Sequence, residues 1–184
     1  MTPEEALQLA LSKLDECSIP YMVTGSFASN MHGVPRATYD ADVVIDLDQQ
    51  SLERLVERLG EEFYLSPEGA REALARERMF NIIHFETGFK VDLIIKKKRA
   101  FNQEEFARRE KVDYLGEPRW FATAEDVIIA KLEWSKPEDS ERQFTDALNV
   151  ARIQGEKLDR EYLEKWARDL DLEQHLERLF LDLA

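Results

Sequence analysis

"VTGSFASNMHGVPRATYDADVVIDL", residues 23–47, begins as a short apolar strand and turns at Gly25-Ser26; fourteen residues after Ser26, Asp40 and Asp42 flank a single alanine inside an apolar run. The run predicts a strand over Asp40–Leu47, in which residues two apart share a face and lie about 7 Å from one another. Ala41, Val43, Ile45 and Leu47 then face a core, and the two aspartates project together from the other side. Carboxylates this close repel, and each resists ionising unless positive charge stands between them. A divalent cation meets that need economically. Magnesium takes a few carboxylates and completes its shell with water and phosphate oxygens.

A third acid extends the pattern. Asp92 lies within "FKVDLII", residues 89–95, a second apolar strand with one acid near its centre. If this strand pairs beside Asp40–Leu47, its carboxylate joins the other two, and three carboxylates on neighbouring strands can hold two metal ions. Gly25, placed after a strand, lets the backbone approach a phosphate, and the helix that follows presents unpaired N–H groups to an anion. Ser26 adds a hydroxyl. The plainer alternative is a strand-to-helix turn capped by serine. A D-x-D pair alone is common in acidic chains; the order strand, Gly-Ser, helix, D-x-D strand and later Asp-bearing strand is far more specific.

The flanking sequence supplies the rest of the frame. Thr2 and Glu5 form a capping-box pattern that opens a helix with an apolar stripe at Leu7, Ala10, Leu11 and Leu14. Tyr21–Thr24 reads as a strand, and a brief helix from Ser26 ends near Gly33-Val34-Pro35. Leu52, Leu55, Val56 and Leu59 mark another helix, and Pro67–Met79 a more polar one. Phe80–Phe85 and Phe89–Ile95 read as paired strands joined at Glu86-Thr87-Gly88, and Lys111–Leu115 as an edge strand. From Thr123 onward the periodicity is helical: Val127, Ile128, Lys131 and Leu132 share one face, Phe144, Ala147, Leu148 and Ala151 another, and Leu172, Leu176, Leu179, Phe180 and Leu183 a third. The expectation is an α+β protein: a mixed sheet flanked by helices over residues 1–118, then a C-terminal helical bundle over 119–184.

Composition narrows the functions open to such a chain. With 184 residues, 43% hydrophobic and 10% aromatic, it can bury a real core. A net charge of −13 argues against a general electrostatic footprint for duplex DNA. Residues 71–111 run the other way, with eleven Lys/Arg against seven Asp/Glu, and contain the dense run Lys96-Lys97-Lys98-Arg99. That run either meets an acidic acceptor or a triphosphate, or is a solvated charge run. A single cysteine, Cys17, excludes an internal disulfide framework and suits a reducing compartment. No stretch approaches a membrane span and no basic-then-apolar leader opens the chain, so a soluble, cytoplasmic protein without membrane partners is expected. Ile45 stands where an EF-hand calcium loop needs glycine. The histidines lack zinc-ligand spacing, and neither a P-loop nor a G-x-G-x-x-G fingerprint occurs.

The motif "GSFAS…RATYDADVVIDL…VDLI", spanning about residues 21–95, resembles the nucleotidyltransferase superfamily of the DNA polymerase β-like fold. The resemblance implies a nucleotidyltransferase core in which Gly25 and Ser26 bind nucleotide phosphates. It implies that Asp40, Asp42 and Asp92 are catalytic and ligate magnesium, with manganese as the alternative ion, and that Asp92 acts as, or orients, the base for the incoming hydroxyl. "TAEDVIIAKLEW" and "RQFTDALNV" resemble the segments after the catalytic core in abortive-infection and toxin–antitoxin nucleotidyltransferases, which implies a nucleotide-binding role for Lys131 and Asp146 and an antitoxin as a candidate partner. Read on its own, Lys131 lies on an apolar face, so its ammonium must snorkel outward or meet an anion. Asp146 pairs as readily with Arg142 on its own helix. Arg36, in the loop before the acidic strand, is suited to clamp a phosphate bidentately, while Thr38 fixes that loop.

Together these features lead to an enzyme moving a nucleoside monophosphate from an NTP, ATP among the candidates, to a hydroxyl, with pyrophosphate leaving. The acceptor stays open among a protein side chain, an RNA end and a small molecule. A non-catalytic nucleotide- or partner-binding module on the same scaffold is the second reading, disfavoured by the presence of all three acids. A D-x-D glycosyltransferase is the third; it leaves Gly25-Ser26 unexplained.

Overall fold

The computed structural model describes residues 1–136 and 140–183, which fall into two compact units: Met1–Thr24 with Thr38–Phe121, and Gly25–Ala37 with Ala122–Ala184. Among the described residues no helix is long and apolar enough to cross a membrane.

The first unit is built on a seven-stranded mixed sheet. Its strands are β1 (Tyr21–Thr24), β2 (Asp40–Ile45), β3 (Phe63–Tyr64), β4 (Met79–His84), β5 (Lys90–Ile95), β6 (Glu110–Tyr114) and β7 (Glu117–Phe121), in the spatial order β3-β4-β5-β2-β1-β7-β6. Helix α1 (Pro3–Glu16) starts at the capping box, in which Thr2 Oγ1 accepts from Glu5 N–H and the Glu5 carboxylate accepts from Thr2 N–H. It buries Ala6, Leu7, Ala10, Leu11 and Leu14. The second helix of this unit spans Gln49–Leu59, starts at Asp48, whose carboxylate accepts from Ser51 N–H, and buries Leu52, Leu55 and Leu59. Ala41, Val43, Ile45, Val91 and Leu93 alternate along β2 and β5 and are almost wholly buried. Period-two alternation thus puts Ala41, Val43, Ile45, Val91 and Leu93 on one face and Asp40, Asp42, Lys90 and Asp92 on the other, where Val44 and Ile94 continue the two strands.

Four strands or helices of these units escape the sequence reading. β3 has two residues, too few to show a period. The helix Ala100–Arg108 begins after Arg99, which makes no side-chain capping bond, so no start signal exists. β7 contains Pro118 and Arg119, residues that count against a strand. It holds because Arg119 is buried and satisfied by Gln8 Oε1, Ser12 Oγ and the Asp15 carboxylate. β6 and β7 join through Leu115 and Gly116, both at positive φ, as a tight hairpin turn requires. The helix Arg160–Asp169 is the fourth, with Tyr162, Leu163, Trp166 and Ala167 buried. One helix is shorter than expected: Pro67–Ala75 ends where Glu77 takes a φ of +49°, freeing Met79 to pair with Ile94 in the sheet.

The second unit is helical. It comprises α2 (Gly25–His32), with five more helical segments: α6 (Ala124–Ser135), α7 (Glu141–Gln154), a 3-10 turn at Gly155–Lys157, α8 (Arg160–Asp169) and α9 (Glu173–Leu183); α3, α4 and α5 denote the first unit's helices Gln49–Leu59, Pro67–Ala75 and Ala100–Arg108. α2 packs against both α6 and α7, and α6 against α7. His32 is buried at the end of α2, its Nε2 2.7 Å from Ala122 O, and its carbonyl accepts from Gln154 Nε2 at 2.8 Å.

Gly33 packs tightly against the backbone of α7. A Cβ there would lie 3.0 Å from both Ser29 O and Val150 N, and 3.1 Å from Val150 Cα, all backbone atoms that cannot swing away. Gly33→Ala should therefore destabilise the protein by about 1–3 kcal/mol through overpacking, read from urea unfolding. An unchanged midpoint would show that α7 yields at this point.

Candidate active site

β2 and β5 run side by side in parallel, with Asp40 opposite Lys90 and Asp42 opposite Asp92. Neighbouring strands lie about 4.8 Å apart, so the three expected acids occupy one patch of one sheet face. Sequence reasoning passed over the fourth member. Lys90 sits two residues before Asp92, hence on the same face, and the signal was visible in the alternation of "FKVDLII".

The Lys90 Nζ lies 2.9 Å from Asp92 Oδ2 and 3.7 Å from Asp40 Oδ2. The hydrogen bond to Asp92, aided by the charges of Asp40 and Asp42, holds its ammonium above the ordinary lysine range. Asp92 is 5% exposed, and its Oδ1 is buried with no hydrogen-bond partner. A buried carboxylate oxygen left so is costly unless a cation or a proton donor reaches it. Asp40 and Asp42 are half-buried. Thr38 Oγ1 donates to Asp40 O at 3.1 Å and approaches its Oδ1 at 3.4 Å, tying the loop to the head of the strand. These all-oxygen donors suit a hard divalent cation such as magnesium. Among the described residues, however, no three His, Cys, Asp or Glu side chains are gathered into a metal cage; an ammonium stands among them.

The second unit gathers the other expected residues. The Arg36 guanidinium grips Asp146 with two bonds, Nε to Oδ1 at 2.9 Å and Nη2 to Oδ2 at 2.8 Å, and Nη2 also donates to Ser26 Oγ at 2.8 Å. Lys131 Nζ donates to Asp146 Oδ2 at 2.9 Å. Ser26, Lys131 and Asp146 are all buried. Lys131 therefore meets an anion rather than snorkelling outward, and Asp146 pairs across the fold with Arg36. Asn30 sets Arg36 in place: its amide donates to Arg36 O at 2.7 Å and accepts from Arg36 N–H at 3.1 Å. Burial pushes the Asp146 carboxyl upward, but the hydrogen bonds from Arg36 and Lys131 outweigh it, and the group ionises below the usual aspartate value. Gly25 opens α2 at a φ of +61°, a conformation that glycine adopts without strain.

The cationic run lies elsewhere. Lys96 follows Ile95 at the end of β5 opposite to Lys90, pairs with Asp46, and Lys98 pairs with Glu77.

Comparison with known proteins agrees on the fold. No family model matches the chain, and no curated protein matches it in sequence. Among solved structures, the chain is similar to ANT(2'')-Ia in complex with adenylyl-2''-tobramycin, at 18% identity and a TM-score of 0.57 over 93% of this chain and 98% of that one. It is similar to the lincosamide antibiotic adenylyltransferase LnuA, lincomycin-bound, at 11% identity and a TM-score of 0.54 over 81% and 96%. An antigenic nucleotidyltransferase-like protein from Paracoccidioides brasiliensis matches at 16% identity and a TM-score of 0.56 over 95% and 92%. The fold is that of the nucleotidyltransferases.

The Asp146 network carries a test of its own. Asp146→Asn keeps the shape but leaves two cations facing a neutral amide, and breaking a buried pair costs about 3 kcal/mol or more. The folded carboxyl ionises below its unfolded value of about 3.9. Its contribution is thus complete above that value and is lost as pH falls through the folded pKa. Urea unfolding should show the variant destabilised by about 3 kcal/mol at pH 7, with the gap to wild type narrowing below about pH 4. A gap independent of pH would assign the loss to packing.

Proposed function

We propose that the protein is a magnesium-dependent nucleotidyltransferase that moves a nucleoside monophosphate from an NTP to a hydroxyl. The observation that carries this reading is Asp42 in register with Asp92, whose buried Oδ1 lacks a partner. In the reaction the acceptor oxygen bonds to the α-phosphorus, the bond from that phosphorus to the β-phosphate bridging oxygen breaks, and pyrophosphate leaves. Asp92 Oδ1 takes the proton of the attacking hydroxyl, the role its orphaned lone pairs suit. Asp40 and Asp42, with Asp92, hold magnesium, for which manganese can substitute. When bound, the ion offsets the charge on the triphosphate and the departing pyrophosphate.

The reading assigns phosphate contacts to Gly25, Ser26, Arg36 and Lys131. Two cations share the single carboxylate of Asp146, an arrangement in which Asp146 keeps both side chains extended and ready for an anion. For the acceptor, a small-molecule hydroxyl is favoured over a protein or an RNA end, a choice supported by neighbours described as an antibiotic-resistance factor and an antibiotic adenylyltransferase. The strongly acidic balance of the chain argues further against an RNA end.

Incubation with NTPs labelled at the α-phosphate, magnesium and a cell extract should place label on a small metabolite, with unlabelled pyrophosphate released. Asp42→Ala should lower transfer by at least about a thousandfold. Full activity in that variant would refute the metal role, and label on protein or RNA would reassign the acceptor.

A further inference from the structure

Four charged groups form a two-by-two patch on the face of β2 and β5: Asp40 beside Lys90, and Asp42 beside Asp92. Each is about 4.8 Å from its neighbour across the strands and about 7 Å from its neighbour along them. Without a cation, three carboxylates at this spacing repel, and Asp92 suffers most because it is 5% exposed. The ammonium of Lys90 meets that need, bridging Asp92 Oδ2 and Asp40 Oδ2 at 2.9 and 3.7 Å.

From this geometry we infer that Lys90 is a built-in counter-ion, which occupies the cation position between Asp92 and Asp40 and withdraws when a divalent ion enters. The inference rests on the metal reading given under Proposed function and adds a regulator to that site. Two properties of the side chain suit it to the task. Its side chain is 38% exposed, so a path to solvent is open, and a lysine is a compact point charge on a flexible four-carbon stem. An ammonium can neutralise the carboxylates but cannot bring their oxygens to the roughly 2 Å distances that magnesium imposes. Asp92 Oδ2 and Asp40 Oδ2 change partner on exchange. Asp92 Oδ1 stays available for the substrate proton. Lys90 is a positioning residue in this account: it holds the ligand set together and sets how tightly a metal must bind to displace it.

The test is manganese titration of the full chain, followed by the electron paramagnetic resonance signal of free ion, with melting temperatures in EDTA and in manganese. Lys90→Met removes the charge at nearly constant volume, and its affinity for manganese should rise at least about tenfold. Its melting temperature should fall in EDTA and be restored by manganese by a larger increment than in wild type. Lys90→Arg, which keeps the charge, should stay close to wild type in affinity. Manganese binding that is equal or weaker in Lys90→Met, or a melting temperature lowered by the same amount with and without the ion, would overturn the inference while leaving the metal site standing. Loss of binding in Asp42→Asn identifies that site; if wild type binds no manganese, or Asp42→Asn binds it equally, the metal reading itself fails and the inference falls with it. If Lys90→Met does not fold, Lys90→Gln is read by the same criteria.

Discussion

The parallel pairing of β2 with β5 is the constraint on which the candidate site depends. A one-residue slip of β5 in that register would send Asp92 to the opposite face, toward Ala41, Val43 and Ile45 of β2, and Leu93 out of the core. The aliphatic residues that alternate with the acids are almost wholly buried, so the slip is opposed by the whole core and not by a single contact. The hydrophobic pattern and the chemistry are thus two readings of one alternation. The residues that hold the strands in place leave the acids nowhere else to go.

In the helical unit the same economy appears in a different form. A bidentate Arg36–Asp146 pair, completed by Lys131, is satisfied inside the fold and is fixed at its loop end by the reciprocal bonds of Asn30. Buried ion pairs seldom add net stability, because desolvation offsets most of the attraction. Here Asp146 holds two long cationic side chains in one geometry, an arrangement that suits the phosphate-binding role proposed for them.

Much of this was legible in the sequence because period-two alternation and turn chemistry are local. The D-x-D strand, the Asp92 strand, the hairpin at Glu86-Thr87-Gly88 and the capping box at Thr2–Glu5 all announce themselves within a few residues. What escaped depends on distant partners. β7 is a strand because Gln8, Ser12 and Asp15 satisfy Arg119 from over a hundred positions away. Asp146 looked able to pair with Arg142 one turn earlier, and only the fold reveals Arg36 as its partner. Lys90 was readable and went unread: attention to carboxylates passed over the cation on their own face.

The stretch Gly25–Ala37 belongs to the helical unit, although the chain on either side of it belongs to the sheet. Its place among α6 and α7 cannot be taken until residues beyond Ala122 have left the ribosome. At ordinary synthesis speeds that delay is on the order of ten seconds, during which Phe27 and Ala28, buried in the finished protein, have no α6 or α7 to cover them. The central strands can pair during this interval. The residues of the acidic face are thus all synthesised before Lys131 and Asp146, so the cationic cluster is the last of the two groups whose members can meet.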